Sequence, residues 1–107
     1  MIFVDTGAWY AASVPNDPDR PAAAAFLSSN RERLATSEYI VDEVVTLLRA
    51  RGENERAIDL GQELLFGKSC KLIWVQASDV RRAWDVFTRF DDKQWSFTDC
   101  ISRVVME

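Results

Sequence analysis

The chain has 107 residues, of which 48% are hydrophobic and 11% aromatic, enough apolar material for one packed domain. Its formal net charge of -4 argues against nucleic-acid binding by overall charge, so any such function must come from a local site. The lack of histidine excludes Ser-His-Asp triads, Cys-His pairs and histidine-rich zinc sites. Any metal must therefore be held by oxygen ligands, which favour Mg²⁺ or Mn²⁺.

The start of the chain alternates a short apolar run with helical patterns. Ile2 to Val4 is predicted to be a buried strand, with a turn at Asp5-Thr6-Gly7 and a first helix from Gly7 to Ser13. A proline-rich loop precedes a second helix from Ala22 to Ser28. Arg33 to Thr36 is too short to assign from its own pattern.

The rest of the chain continues this alternation of helices and strands. Its predicted elements are a helix capped by Ser37 and ended by Gly52, a helix from Glu53 to Phe66 closed by Gly67, a strand from Leu72 to Val75, a helix from Val80 to Phe90 capped by Ser78 or Asp79, and a helix from near Ser96. Strands that alternate with crossover helices predict an α/β fold with a central parallel sheet.

The sequence also predicts the cellular compartment of the protein, the state of its cysteines and the completeness of its domain. The chain carries no long apolar run and no export signal at its start, so we expect a soluble, cytoplasmic protein without a membrane span. Cys70 and Cys100 are expected to be reduced structural thiols. The segment from Phe97 to Glu107 ends without a capping residue, so we expect residues 1–107 to be one domain, incomplete at its C-terminus, that forms homo-oligomers through exposed apolar surface.

Asp5 is the first candidate for chemistry. It lies at the carboxyl end of the first predicted strand, where open α/β sheets place their ligand sites. The alternative is that Asp5 caps the helix that follows, and the two roles do not exclude each other.

Glu43 and Asp99 are the second and third candidates. Glu43 falls roughly 40° from Leu47 around its helix, on the flank of the buried stripe, where a carboxylate is unfavourable unless it is paired or metal-bound. Glu38 and Asp42 project to the more polar side, where solvation explains them. Asp99 fits a capping box with Ser96, and metal ligation is the competing interpretation. The alternative for Glu43 is that its side chain extends outward to solvent.

Basic and aromatic residues could bind a phosphate backbone or stack on a base. The basic candidates, whose commoner role is to solvate helix faces, are Arg49, Arg51, Arg81, Arg82 and Lys93. Trp95 could stack on a base or pack inside the protein.

Three segments, taken in order, resemble successive motifs of the PIN-domain family of VapC-type toxin ribonucleases. They are Val4 to Trp9, Ser37 to Leu48 and Ser96 to Cys100. The resemblance implies a PIN-like three-layer fold in which Asp5, Glu43 and Asp99 are the catalytic, metal-binding acids, with Mg²⁺ or Mn²⁺ as cofactor. It also implies an RNA substrate and a small antitoxin partner. The family's usual fourth acid comes from a later segment that has no counterpart in these residues.

Two other functions are compatible with the residues. The first is a catalytically impaired PIN-fold interaction module, in which an incomplete set of acids binds metal poorly. The second is a receiver-like phosphotransfer domain that uses Asp5 or a neighbouring acid as phosphate acceptor. A metal-dependent nuclease assay separates the enzyme from the module, and acid-labile phosphorylation would identify the receiver-like domain.

Overall fold

A computed structural model describes residues 1–107. Strands and helices follow one another along the chain as the apolar periodicity predicted, and the short segment that was ambiguous on its own pattern is the second strand. The elements are β1 (Ile2–Phe3), α1 (Thr6–Ser13), α2 (Arg20–Ser29), β2 (Leu34–Ser37), α3 (Glu38–Ala50), α4 (Asn54–Phe66), β3 (Cys70–Ile73), α5 (Ala77–Arg89) and α6 (Phe97–Met106). None of these helices is both long and apolar enough to cross a membrane.

The three strands form one parallel sheet in the order β1-β2-β3, which confirms the predicted α/β class. Ile2 pairs with Leu34, and Leu34 pairs with Cys70. Because the strands run in the same direction, their carboxyl ends meet at one edge of the sheet. Asp5 follows β1 at this edge, and Ser37, the last residue of β2, begins the turn into α3 there.

Helices cover both faces of the sheet. On one face, Val4 and Cys70 join a buried core with apolar residues of α1, α3 and α4, including Trp9, Val44 and Leu64. On the other face, the sheet residues Phe3, Ala35 and Ile73 line a cavity of about 360 Å³ together with Met1 and with Val105 and Met106 of α6. A second core joins α5 to α6 through Ala83, Cys100, Ile101 and Val104. The molecule is thus layered as helices, sheet and helices.

Two of the boundaries that differ from the prediction, at the third strand and at the start of α5, have an identifiable local cause. The third strand was expected at Leu72 to Val75 but is Cys70–Ile73, because its partner β2 is only four residues long and turns into α3 after Ser37. The N–H of Val75 donates instead to both carboxylate oxygens of Glu38, at 2.8 and 2.9 Å. Glu38, expected to be merely solvated, is therefore a half-buried link between β3 and α3.

The start of α5 was also predicted wrongly, whereas the end of α3 was predicted correctly. Gln76, rather than Ser78 or Asp79, is the N-cap of α5, and the carboxylate of Asp79 accepts a hydrogen bond from the Gln76 N–H at 3.1 Å. Gly52 ends α3 as predicted, with a φ of 79° that only glycine adopts without strain.

Candidate functional site

Asp5 is placed by the end of β1 and the start of α1. The N–H of Val4 donates to Ala35 O at 2.8 Å, so the chain stays in the sheet up to the residue before Asp5. Asp5 then caps α1, because its Oδ1 accepts a hydrogen bond from the N–H of Ala8 at 3.0 Å. The side chain is exposed, and its second oxygen has no partner within the protein. A cap and a ligand role can therefore coexist in this carboxylate.

A buried hydrogen-bonded chain fixes α1 against the sheet beside Asp5. The indole N–H of Trp9 donates to Thr36 Oγ1 at 3.3 Å, and that hydroxyl donates to Val4 O at 3.1 Å. Thr36 is fully buried, so these bonds compete with no solvent. The first turn of α1 is held in a fixed position relative to β1 and β2.

Glu43 reaches the same turn from α3. The hydroxyl of Thr6, the residue next to Asp5, donates to Glu43 Oε1 at 2.5 Å, and both side chains are half-buried. The predicted position of Glu43 on the flank of the buried stripe agrees with this exposure. Its carboxylate is directed toward the start of α1, with a polar partner that the sequence analysis did not identify.

Asp99 belongs to a reciprocal capping box at the start of α6. The N–H of Asp99 donates to Ser96 Oγ, and the N–H of Ser96 donates to Asp99 Oδ2, each at 3.0 Å. The predicted capping box is confirmed. The Asp99 side chain is nevertheless exposed, and its other carboxylate oxygen makes no hydrogen bond with the protein, so it can bind a ligand without breaking the cap.

Asp5 and Asp99 line one cleft although they lie near opposite ends of the chain. This acidic cleft has a volume of about 410 Å³ and is lined by Phe3, Asp5, Trp95, Asp99, Ser102, Arg103 and Met106. Glu43 is not among the lining residues and is connected to the cleft through Thr6 and Asp5. No group of three His, Cys, Asp or Glu side chains is close enough to hold a metal ion in the present arrangement.

The chemistry of the acidic cleft follows from its donors. Two carboxylates that face one cleft repel each other unless a cation lies between them, and carboxylate oxygens are the ligands that hard divalent cations prefer. The donor set therefore fits Mg²⁺ or Mn²⁺.

None of the basic residues proposed from the sequence lines the acidic cleft. Arg49 donates to Asn54, Arg51 stacks on Tyr10, and Arg82 pairs with Glu107. Lys93 lies in a separate depression beside Trp95, and Arg81 lies in another one near the end of α6. The cation that the sequence analysis missed is Arg103. Its position four residues after Asp99, on the same helix face, is the signal that could have identified it.

The two cysteines take no part in the site. Both are buried free thiols, as predicted. Burial raises the pKa of Cys70 to about 11, and burial, followed by the nearby Asp99 carboxylate, raises the pKa of Cys100. Both thiols are therefore protonated at neutral pH and are poor nucleophiles or metal ligands.

Comparison with known proteins gives concordant matches in sequence and fold. The family model described as the PIN domain matches residues 2–107. The 23S rRNA-specific endonuclease VapC20 of Mycobacterium tuberculosis, from strains CDC 1551 and H37Rv, is 29% identical over 106 residues, which is 99% of this chain and 80% of the relative. The crystal structure of M. tuberculosis VapC20, described as a sarcin-ricin loop cleaving toxin, matches with a TM-score of 0.93 and 28% identity over 99% of this chain and 81% of that one.

Proposed function

The chain belongs to the PIN domain family and is a ribonuclease of the toxin-antitoxin type, and we propose that its acidic cleft is the catalytic site. In this proposal, Asp5, Glu43 and Asp99 are the catalytic acids and bind Mg²⁺ or Mn²⁺. The observation that supports it most strongly is that Asp5 and Asp99 line one cleft, each with a carboxylate oxygen left unpaired by its helix cap.

The three acids contribute differently to the proposed site. Asp5 and Asp99 face the solvent of the acidic cleft and are available for direct ligation. Glu43, which is hydrogen-bonded to Thr6, supplies the third negative charge from α3. A divalent cation, when bound, supplies Lewis acidity that activates water and offsets charge on the phosphoryl group. The caps of α1 and α6 keep both aspartates in fixed positions, so little reorganisation is required on binding.

The substrate we propose is a structured RNA loop of the large ribosomal subunit. The relative that is 29% identical over almost the whole chain is named as a 23S rRNA-specific endonuclease, and the matching crystal structure is described as cleaving the sarcin-ricin loop. A small antitoxin is the proposed protein partner, as expected for this type of toxin.

The direct test is cleavage of 23S rRNA by the purified chain. Wild-type protein with Mn²⁺ or Mg²⁺ should give a discrete fragment, and chelation by EDTA should abolish it. Asp99→Asn should remove cleavage because it removes a charged ligand while keeping the size of the side chain. Asp42→Asn is the matched control, since Asp42 is an exposed acid on α3, one residue before Glu43, and makes no hydrogen bond. Equal cleavage by Asp99→Asn and wild type would refute the assignment.

A second candidate function is a PIN-fold interaction module with impaired catalysis. The observation in its favour is that no three acidic side chains are close enough together to hold a metal ion as they stand. This candidate predicts antitoxin binding without any metal-dependent cleavage of RNA by the wild-type chain. The same 23S rRNA assay, followed by a pull-down with the antitoxin, separates the two functions.

A further inference from the structure

We propose that Arg103, stacked on Trp95, and the hydroxyl of Ser102 form the phosphate-binding wall of the acidic cleft. In this arrangement they bind an RNA phosphate next to the carboxylates. The inference rests on the proposed function for the identity of the polyanion and goes beyond it by naming which residues attract that polyanion to an acidic protein. Neither the cation nor the hydroxyl had been singled out from the sequence.

Arg103 lies one helical turn after Asp99 on α6, so both side chains project into the acidic cleft. Its guanidinium carbon lies 4.7 Å from the centre of the Trp95 ring. The side chain is exposed, and the ion pairs of the protein involve other residues. Two carboxylates share its cleft, yet Arg103 pairs with neither. Its N–H donors are therefore free for a ligand.

Stacking on Trp95 explains why Arg103 remains unpaired. A guanidinium that lies over an aromatic face keeps its donors at the edge of the plane, where they can form the two parallel hydrogen bonds that a phosphate accepts. Trp95 is itself anchored by Phe90, whose ring centre lies 5.6 Å away. One face of Trp95 is thus occupied by Arg103, so Trp95 acts as a positioning residue for the arginine rather than as a stacking surface for a base.

Ser102 provides a second, independent sign of a ligand. The residue is 7% exposed, and its hydroxyl oxygen is the one buried side-chain nitrogen or oxygen atom without a hydrogen-bond partner. Leaving a buried hydroxyl unpaired is unfavourable, so such a group in a cleft wall points to a partner that completes it. Ser102 lies three residues after Asp99 on α6 and lines the same cleft as Arg103, so its hydroxyl can donate to a phosphate held there.

A positively charged side chain in the acidic cleft would help an RNA phosphate to approach the carboxylates. An RNA phosphate must approach two carboxylates in a protein of net charge -4, and a fixed positive charge beside them lowers that barrier. Arg103 is the only Lys or Arg that lines the acidic cleft.

The test is RNA binding measured apart from catalysis. Fluorescence anisotropy of a fluorescein-labelled RNA hairpin in EDTA, at several salt concentrations, gives the Kd and its salt dependence for the whole chain. Arg103→Gln should raise the Kd about tenfold and reduce the slope of log Kd against log salt by about 0.7 to 0.9, the contribution of one phosphate contact. Arg103→Lys should keep the slope but recover only part of the affinity, because an ammonium lacks the planar fork.

Two further variants assign the remaining roles. Trp95→Leu should raise the Kd about threefold while leaving the salt slope nearly unchanged, since the charge stays and only its position is lost. Arg33→Gln is the matched control, because Arg33 is an exposed, unpaired arginine that precedes β2 and so lies at the opposite end of the sheet from Asp5. Circular dichroism spectra and melting temperatures establish that each variant is folded.

The outcomes separate this inference from the proposed function. Wild-type affinity and slope in Arg103→Gln, or equal losses in Arg33→Gln, would overturn the inference, even if the wild-type chain cleaves RNA in Mn²⁺. Arg103-dependent binding by a wild-type chain that cleaves nothing would support the inference and refute the proposed function. In a cleaving enzyme, Arg103→Gln should raise KM more than it lowers kcat.

Discussion

The proposed site gives Asp5 and Asp99 a structural and a chemical role each, because one carboxylate oxygen caps a helix and the second has no partner in the protein. Residue patterns alone left the two roles as alternatives. Each cap lies at the beginning of a helix next to the cleft, and this position is compatible with both roles. Substitutions that keep the cap while removing the charge are therefore the informative ones.

Asp5→Asn should abolish cleavage that depends on Mn²⁺ or Mg²⁺ while leaving the fold intact. Asparagine caps a helix about as well as aspartate, and the loss of one charge relieves repulsion from Asp99 in the metal-free protein. The melting temperature should be unchanged or higher. Asp5→Ala is the contrasting variant, because it loses the cap as well and should cost about 1 kcal/mol. A large destabilisation by Asp5→Asn would instead mark Asp5 as purely structural.

Thr6→Val tests whether the hydroxyl that contacts Glu43 orients this acid. Valine keeps the shape of threonine but cannot donate to Oε1, so metal affinity should fall by about 10- to 100-fold, as for other groups that orient ligands. The measurement is the Mn²⁺ concentration that gives half-maximal cleavage. Thr46→Val, at an exposed position on α3, is the control and should leave that concentration unchanged. Equal values for the two variants would dissociate Thr6 from the site.

The buried thiol of Cys70 predicts a loss of stability at high pH. Its pKa is raised from 9.0 to about 11 in the folded protein, chiefly by burial, so the folded state retains the proton more tightly than the unfolded state does. The stabilisation that results from this difference in proton affinity is fully present below pH 9 and is lost as the pH rises from about 9 to about 11. Urea unfolding at pH 8 and pH 10.5 measures the decrease. A Cys70→Ala variant should show a smaller decrease over the same interval, and identical decreases would exclude Cys70 as the cause.

At the scale of elements, the sequence was most informative where capping residues adjoin strong apolar periodicity. Ser37 and Ser96 begin α3 and α6 as predicted, since each supplies a local hydrogen bond that needs no tertiary partner. The strands were harder to locate. β2 had no pattern of its own, and β3 was placed two residues late, because pairing between distant segments decides where a short strand begins.

In the candidate site too, features that depend on local sequence were predicted, whereas contacts between distant segments were not. Asp5, Glu43 and Asp99 were predicted from their positions on a strand end, a helix flank and a helix start, together with the family resemblance, and their role stays a prediction. The contact of Thr6 with Glu43 and the stacking of Arg103 on Trp95 depend on how α1, α3 and α6 come together. No periodicity within one segment reports such contacts, so these residues were missed or left with open alternatives.

Ser96→Ala tests whether the capping box of α6 supports the site. Removing the hydroxyl that accepts from the Asp99 N–H should destabilise the protein by about 1 kcal/mol. Cleavage should fall as well, because Asp99 then loses part of its fixed position. Ser96→Thr keeps the hydroxyl and should restore both properties. Chemical denaturation and the rRNA assay measure them, and full activity of Ser96→Ala would show that the box serves stability alone.

At the scale of the whole molecule, an acidic protein is reconciled with a polyanionic substrate by the local arrangement of charge. The net charge of -4 is distributed over the surface, whereas the acidic cleft combines two carboxylates with one unpaired arginine. A cation on the carboxylates and a guanidinium beside them would together make the cleft attractive to phosphate. Self-association, expected from exposed apolar surface, stays a prediction.

Whether Asp5, Glu43 and Asp99 hold the metal can be measured directly as binding of Mn²⁺. Electron paramagnetic resonance of free Mn²⁺ during titration counts bound ions without any RNA or turnover. Wild-type protein and Asp42→Asn should bind Mn²⁺ with the same affinity, whereas Asp5→Asn, Glu43→Gln and Asp99→Asn should each weaken binding at least about tenfold. Equal Mn²⁺ affinity in all five proteins would contradict the account, because the ion would then be held by residues other than the three acids.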